Sequence, residues 1–205
     1  MKRFNRRKMI ISFFAVFLLS FYFLILSVFG QEKTIKEDAL NVIFSRKSVR
    51  TFIPDKPVTK EQLELLMKAA MAAPTAMDKR PWVFVAVTKR ENLDKLAEGL
   101  RYAQMLKQAS AAIFVCGDTT KTTGEFWKMD CSAATENLLL AVEATGLGAV
   151  WTAVYPDSVK INHVRDILGL PQTVIPLNCI PIGYPTGTEK PKDKWNPANI
   201  HWERW

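Results

Sequence analysis

Arg46, Lys47, Ser48 and Arg50 put three cations and a hydroxyl within five residues, just ahead of Thr51-Phe52-Ile53-Pro54. Such a cluster can hold a phosphate through charge-assisted hydrogen bonds. It can equally be a solvated helix end, because Lys and Arg favour the last turn. Three further stretches could join it: Pro74 to Trp82 (Pro-Thr-Ala-Met-Asp-Lys-Arg-Pro-Trp), Gly146 to Pro156, and Lys190 to Trp195 (Lys-Pro-Lys-Asp-Lys-Trp). Taken alone, each has an ordinary explanation. Trp82 reads as a core aromatic at the start of a strand, Val150 and Val154 as a buried strand, and Lys192 and Lys194 as part of a solvated tail.

Two common nucleotide-binding patterns are absent, since no GxGxxG follows a strand and no GxxxxGK[ST] occurs. The short GxG at Gly146 to Gly148 closes a helix instead of opening one, so it cannot offer a helix N-terminus to a phosphate. Cys116, Cys131 and Cys179 lie far apart without Cys/His ligand spacing, so no metal site is expected and buried small hydrophobes are the preferred reading. A disulfide between two of them stays open. His163 and His201 lack a nearby carboxylate or cysteine pattern and read as structural.

The elements that must position these residues follow from periodicity. Ile35, Ala39, Leu40 and Ile43 predict an amphipathic helix over 35–44 that leads into the cation cluster. Thr59-Lys60-Glu61-Gln62 has the form of a capping box, and Leu63, Leu65, Leu66, Ala69 and Ala70 continue a helix that Pro74 must end. Trp82 to Val87 and Ala111 to Val115 read as buried strands. Helices are expected over 91–109, as one or two pieces, over 130–145 and over 158–168; further strands are expected over 149–154 and 173–182. Alternating helices and strands without repeats give one layered α/β-type domain with a loose polar tail from Pro185.

In type and order the four stretches resemble the FMN-dependent nitroreductase family, over nearly everything after residue 30. The resemblance implies an α+β, nitroreductase-like three-layer domain over 31–205, with a central mixed β-sheet flanked by helices, forming a homodimer with FMN between the subunits. An Arg-x-Ser-x-Arg/Lys stretch binds FMN in this family, and Arg46, Ser48 and Arg50 match it residue by residue; Arg50 is the candidate for the pyrimidine edge. Pro74, Thr75, Ala76, Asp78 and Arg80 resemble the family's Pro-Ser/Thr-x-x-Asn-x-Gln loop along the flavin, with Asp78 where Asn is usual and Arg80 where Gln is usual. An ionised Asp can only accept, so Asp78 should disfavour negative charge on the ring unless Lys79 or Arg80 neutralises it. Trp151, Thr152 and Ala153 match the strand along the ring, with the N–H groups of Thr152 and Ala153 as candidates near N5. Lys192 and Lys194 resemble the basic pair that returns to the phosphate.

The activity implied is electron transfer from NAD(P)H or another donor, through flavin, to nitroaromatic, quinone or similar flat acceptors. No protein nucleophile or acid/base pair is needed, since the cofactor carries the chemistry. Phe126 and Trp127 stand in a polar segment, 119–127, and suggest a substrate lid; packing at a subunit interface is the alternative. An exported flavin-binding or interaction protein with little turnover is the competing function.

Charge and hydropathy bear on location. The formal charge is +8, but Lys2, Arg3, Arg6, Arg7 and Lys8 precede a 21-residue uncharged stretch, Met9 to Phe29; removing those five leaves +3. A mildly basic domain without a run of basic residues and interleaved aromatics gives no footprint for nucleic acid. Residues 1–30 read as a signal peptide or a retained membrane anchor, with Val28-Phe29-Gly30 supplying a cleavage context for the first and the length of the stretch favouring the second. Either places the domain across the cytoplasmic membrane, because the basic flank stays inside. A cytoplasmic location is the alternative.

Overall fold

The computed structural model describes residues 39–122 and 124–205. The apolar stretch Met9 to Phe29 therefore lies outside the described residues. The chain divides into Met1–Phe44, of which residues 39–44 are described and helical, and the compact unit Ser45–Trp205.

Within Ser45–Trp205 the order is α1 (Lys60–Met71), β1 (Trp82–Val87), α2 (Arg90–Gly99), β2 (Ala111–Asp118), α3 (Phe126–Ala144), β3 (Gly148–Ala149), β4 (Thr152–Ala153), α4 (Ser158–Leu168) and β5 (Val174–Gly183). Short 3₁₀ turns occupy Ala76–Asp78, Arg101–Lys107 and Pro197–Asn199. The capping box forms as expected. Thr59 Oγ1 accepts from the Gln62 N–H at 3.2 Å, and Gln62 Oε1 accepts from the Thr59 N–H at 2.9 Å.

Three layers follow from alternation along β2. Ala111, Ile113 and Val115 face one way and join Leu63, Leu66 and Ala70 of α1 with Cys131, Ala134 and Leu138 of α3. Ala112, Phe114 and Cys116 face the other way and meet Leu93 and Leu96 of α2 and Val164 of α4. Successive strand side chains point to opposite faces, so a strand that is apolar at every position must be covered on both. The sheet runs β1-β2-β5-β3, with β4 also on β5.

The pairing differs from the mixed sheet expected, because every strand pair among the described residues is antiparallel. Val87, the last residue of β1, sits opposite Ala112 near the start of β2. Residues 88–110 thus leave and return at the same end of the sheet, and a parallel pair would have required a crossover.

The lid expected at Phe126 and Trp127 is corrected at Trp127. Both lie in the first turn of α3, which begins four residues before the expected Asp130. Trp127 is 3 % exposed and meets Tyr155 edge-on at 5.2 Å. Gly117 makes room for it, since a Cβ there would stand 2.4 Å from Trp127 Cε3. Trp127 is a core residue, and Phe126 sits half-exposed beside it on a regular helix.

Candidate functional site

The cation cluster runs extended along the sheet edge. Val49 is buried, its N–H donating to the Ala149 carbonyl at 2.9 Å, and a Cβ on Gly148 would stand 2.7 Å from Val49 Cγ1. The glycine therefore lets the first and third stretches touch. With Val49 turned inward, the alternation of an extended chain turns Ser48 and Arg50 outward together, and both are exposed.

The cations behind them are anchored on α3. Arg46 Nε meets Glu136 Oε1 at 3.1 Å, and Lys47 Nζ meets Glu143 Oε1 at 2.8 Å and Oε2 at 3.2 Å. Lys47 is held by both carboxylate oxygens of Glu143, a partner that is itself mostly covered. Arg46 is engaged with Glu136 through Nε and stays about one-fifth exposed.

The fourth stretch is pinned to the first by Glu189. Its Oε1 accepts from the Arg50 N–H at 2.9 Å, the Thr51 N–H at 3.0 Å and the Thr51 hydroxyl at 2.7 Å. Burial alone would raise this carboxyl, but those donors outweigh it and hold the pKa at about 2. Phe52 bridges Pro185, and Ile53 N–H donates to the Tyr184 carbonyl at 2.8 Å. The lysines that follow, Lys190, Lys192 and Lys194, are exposed on a tail that starts beside Arg50.

The second stretch is a tight loop with three non-glycine residues at positive φ: Met77 at 52°, Asp78 at 53° and Arg80 at 48°. Arg80 and Asp78 form a two-pronged pair, Nε to Oδ1 at 2.7 Å and Nη2 to Oδ2 at 2.5 Å. The Arg80 guanidinium holds the Asp78 carboxyl below its usual range. Asp78 is thus neutralised by its neighbour, which removes the conflict its charge would pose. Ala76 N–H donates to Asp130 Oδ1 at 2.9 Å. Asp130 and Glu136 are six residues apart on α3, about 9 Å along the axis and about 240° around it. The loop and the Arg46 end of the cation strip are therefore held by different faces of one helix.

In the third stretch the expected continuous strand is broken. Gly148–Ala149 and Thr152–Ala153 each pair with β5, while Val150 and Trp151 lie between. Thr152 is buried with its hydroxyl on the Cys179 carbonyl at 2.7 Å, whereas Ala153 is exposed and Trp151 is 36 % exposed. Thr152 and Ala153 border a cleft of about 10 Å³ with Tyr102 and Lys160, room for no more than one water.

A larger cavity of about 530 Å³ shares no residue with the four stretches; Pro54, Lys56, Pro57, Leu93, Lys107 and Ser110 help to line it. Much of its polar rim is already occupied. Arg90 donates to the carbonyls of Leu106, Lys107 and Ala109, and Ser110 Oγ donates to the Lys56 carbonyl. We place the site on the cation strip.

The structure thus joins the first, third and fourth stretches and ties the second to α3 through Asp130. Glu136, Glu143, Asp130 and Glu189, the acids that position them, went unread. Glu136 and Glu143 stand seven residues apart on one predicted helix, a spacing suited to two consecutive cations.

The nitroreductase family profile matches residues 43–101 and 97–184. A protein of Archaeoglobus fulgidus, provisionally named an NADH dehydrogenase/NAD(P)H nitroreductase, is 40% identical over 174 residues, 82% of this chain and 99% of that protein. A crystal structure under the same provisional name, from Parabacteroides distasonis, is 53% identical, covers 82% of this chain and 98% of the other, and superposes with a TM-score of 0.79. A provisional nitroreductase from Desulfovibrio desulfuricans, solved in complex with FMN, is 25% identical over 82% of this chain and 97% of its own, with a TM-score of 0.69. With its two-faced sheet, its cation strip and these relatives spanning almost their full length, the chain belongs to the nitroreductase family.

Proposed function

We propose that this chain is an FMN-dependent oxidoreductase that passes electrons from a reduced nicotinamide or another donor to nitroaromatics, quinones or similar flat acceptors, and that it works as a homodimer. The observation that carries this is the Glu189 tether, which starts a lysine-bearing tail beside outward-facing Ser48 and Arg50. These residues fit the cofactor chemically. A dianionic phosphate needs several cations and a hydroxyl on one exposed face, and Arg46, Ser48, Lys192 and Lys194 offer them.

Bound FMN would supply the redox chemistry, accepting electrons from the donor and releasing them to the acceptor. The chain's part is to hold the phosphate with Arg46 and the tail lysines, and to set positive charge from Arg50 at the pyrimidine edge. The backbone of 74–80 and of Thr152–Ala153 would lie along the ring. The neutral Asp78–Arg80 pair adds no net charge beside it.

A homodimer is supported by the different faces of α3 that hold the loop and the cation strip, because a second copy can bring its own loop to that strip. Apolar side chains left exposed around the loop, Met71, Met77, Phe126 and Met129, give such a copy a surface to cover.

The experiment is FMN and riboflavin binding to the purified full chain, followed by absorbance and thermal shift. Wild-type protein binds FMN and gains stability with excess ligand. Arg46→Ala weakens FMN by about 1.5–3 kcal/mol, the range for a charge-assisted bond, and riboflavin far less. A colourless protein without a thermal shift overturns the proposal; equal losses for both ligands remove Arg46 from the phosphate.

Location is part of the same reading. Five basic residues before 21 uncharged ones support a domain exported across the cytoplasmic membrane and reduced there by a donor other than free nicotinamide. A reporter active only in the cytoplasm, fused after Trp205, stays silent on this view, and strong reporter activity refutes it.

A further inference from the structure

The loop 75–80 holds a conformation that side chains resist. Met77, Asp78 and Arg80 all stand at positive φ, where the Cβ of an L-residue crowds the neighbouring carbonyl. Its local bonds close a curl. Asp78 N–H donates to the Thr75 carbonyl, Lys79 N–H to the Ala76 carbonyl and Arg80 N–H to Thr75 Oγ1, all at 3.1 Å. These bonds shape the curl without fixing where it stands relative to the rest of the fold.

The bond from Ala76 N–H to Asp130 Oδ1 does fix it, across 54 positions of chain. Asp130 is 5 % exposed, on the second turn of α3. That turn is itself clamped to the sheet, by Trp127 over Gly117 and by the Cys131 thiol on the Cys116 carbonyl at 3.4 Å. A carboxylate in such a place is costly unless it is hydrogen-bonded, and a charged acceptor gives the backbone N–H a stronger bond than a neutral one. Its other oxygen, Oδ2, is buried and has no hydrogen-bond partner among the described residues. One oxygen holds the loop, and the second is not used by the fold.

We infer that Asp130 is the positioning residue of the cofactor-facing loop. Through Ala76 N–H it transmits the rigidity of the sheet and α3 to the strained curl, and so sets where the loop backbone and the Asp78–Arg80 pair stand against bound FMN. The inference rests on the FMN reading, and it concerns a residue that touches neither cofactor nor substrate.

Two substitutions break the bond from opposite sides. Asp130→Ala removes the acceptor. Ala76→Pro removes the donor and suits the backbone, because Ala76 is the first residue of a 3₁₀ turn and Thr75 before it is already extended at φ −135°, ψ 151°. Asp130→Asn keeps the Oδ1 acceptor and places its amide where no bond is lost.

In a double-mutant cycle on the full chain, FMN affinity falls about tenfold in Asp130→Ala and in Ala76→Pro, and the double variant is no weaker than the worse single one. The visible circular dichroism of bound flavin changes alike in both, and Asp130→Asn restores most of the loss seen in Asp130→Ala. Additive losses, or a flavin dichroism identical to wild type in Asp130→Ala, overturn the role. Should a variant prove too unstable to purify, hydrogen exchange at Ala76 in Asp130→Asn replaces it: retained protection supports the tether and lost protection refutes it. A wild-type chain that binds no flavin defeats the FMN reading alone, since Ala76 exchange in Asp130→Ala against wild type still reads the tether.

Discussion

Trp127→Ala lowers the stability of the protein by about 3–5 kcal/mol, the range for emptying a buried aromatic site. Trp127 is 3 % exposed, seated on Gly117 and against Tyr155, so its removal leaves a cavity between α3 and β2. Folded domains are stable by only about 5–15 kcal/mol, so a large share of the total goes with this one side chain. For a domain of this size the melting temperature falls by roughly 10 °C. Thermal unfolding followed by circular dichroism checks it. A lid residue would behave otherwise, raising KM with the melting point unchanged, and that outcome would return Trp127 to the pocket.

Glu189→Ala detaches the tail and weakens FMN about tenfold, near the low end for a lost hydrogen bond to a charged group because the knot is partly solvated. Three donors lose their common acceptor: the N–H groups of Arg50 and Thr51 and the Thr51 hydroxyl. The amides of Arg50 and Thr51 then exchange faster with solvent, which hydrogen exchange resolves residue by residue. Acid acts in the same direction. The carboxyl has a pKa of about 2 in the fold against an ordinary 4.5, so its stabilisation is complete above about pH 4.5 and is lost as pH falls toward 2. Unchanged Arg50 and Thr51 exchange in Glu189→Ala would show that the tail is held by other means.

The contrast between these residues shows what a sequence discloses. Thr59 and Gln62 cap α1 as expected because a capping box is local, complete within four residues. The 158–168 helix was legible for the same reason, Asp157 capping its start through the N–H groups of Val159 and Lys160. Ser48 and Arg50 were legible by type, and the inward turn of Val49 puts both on the surface. The start of α3 was missed because Glu125 makes no side-chain cap and the preceding segment is polar. The signal was nevertheless there, since Trp127, Cys131, Ala134 and Leu138 recur at helical spacing. The break at Val150–Trp151 had no such signal, because a run of small and apolar residues reads as strand whether or not each residue is paired. The acids behind the site were hidden for a different reason: Glu136, Glu143, Asp130 and Glu189 find partners 54 to 139 positions away, which only the tertiary fold brings together.

The three cysteines carry a consequence for where such a protein can live. Cys116 on β2, Cys131 on α3 and Cys179 on β5 are free and buried, and desolvation pushes all three thiols up, Cys131 to about 12. Burial thus disfavours the thiolate at all three positions, and the thiolate is the form that attacks disulfides and reacts with oxidants. The interior is in this sense insulated from the redox poise around it. Neither a reducing nor an oxidising surrounding meets a ready sulfur nucleophile at these three positions, so the core of this chain would not need different residues there in either setting.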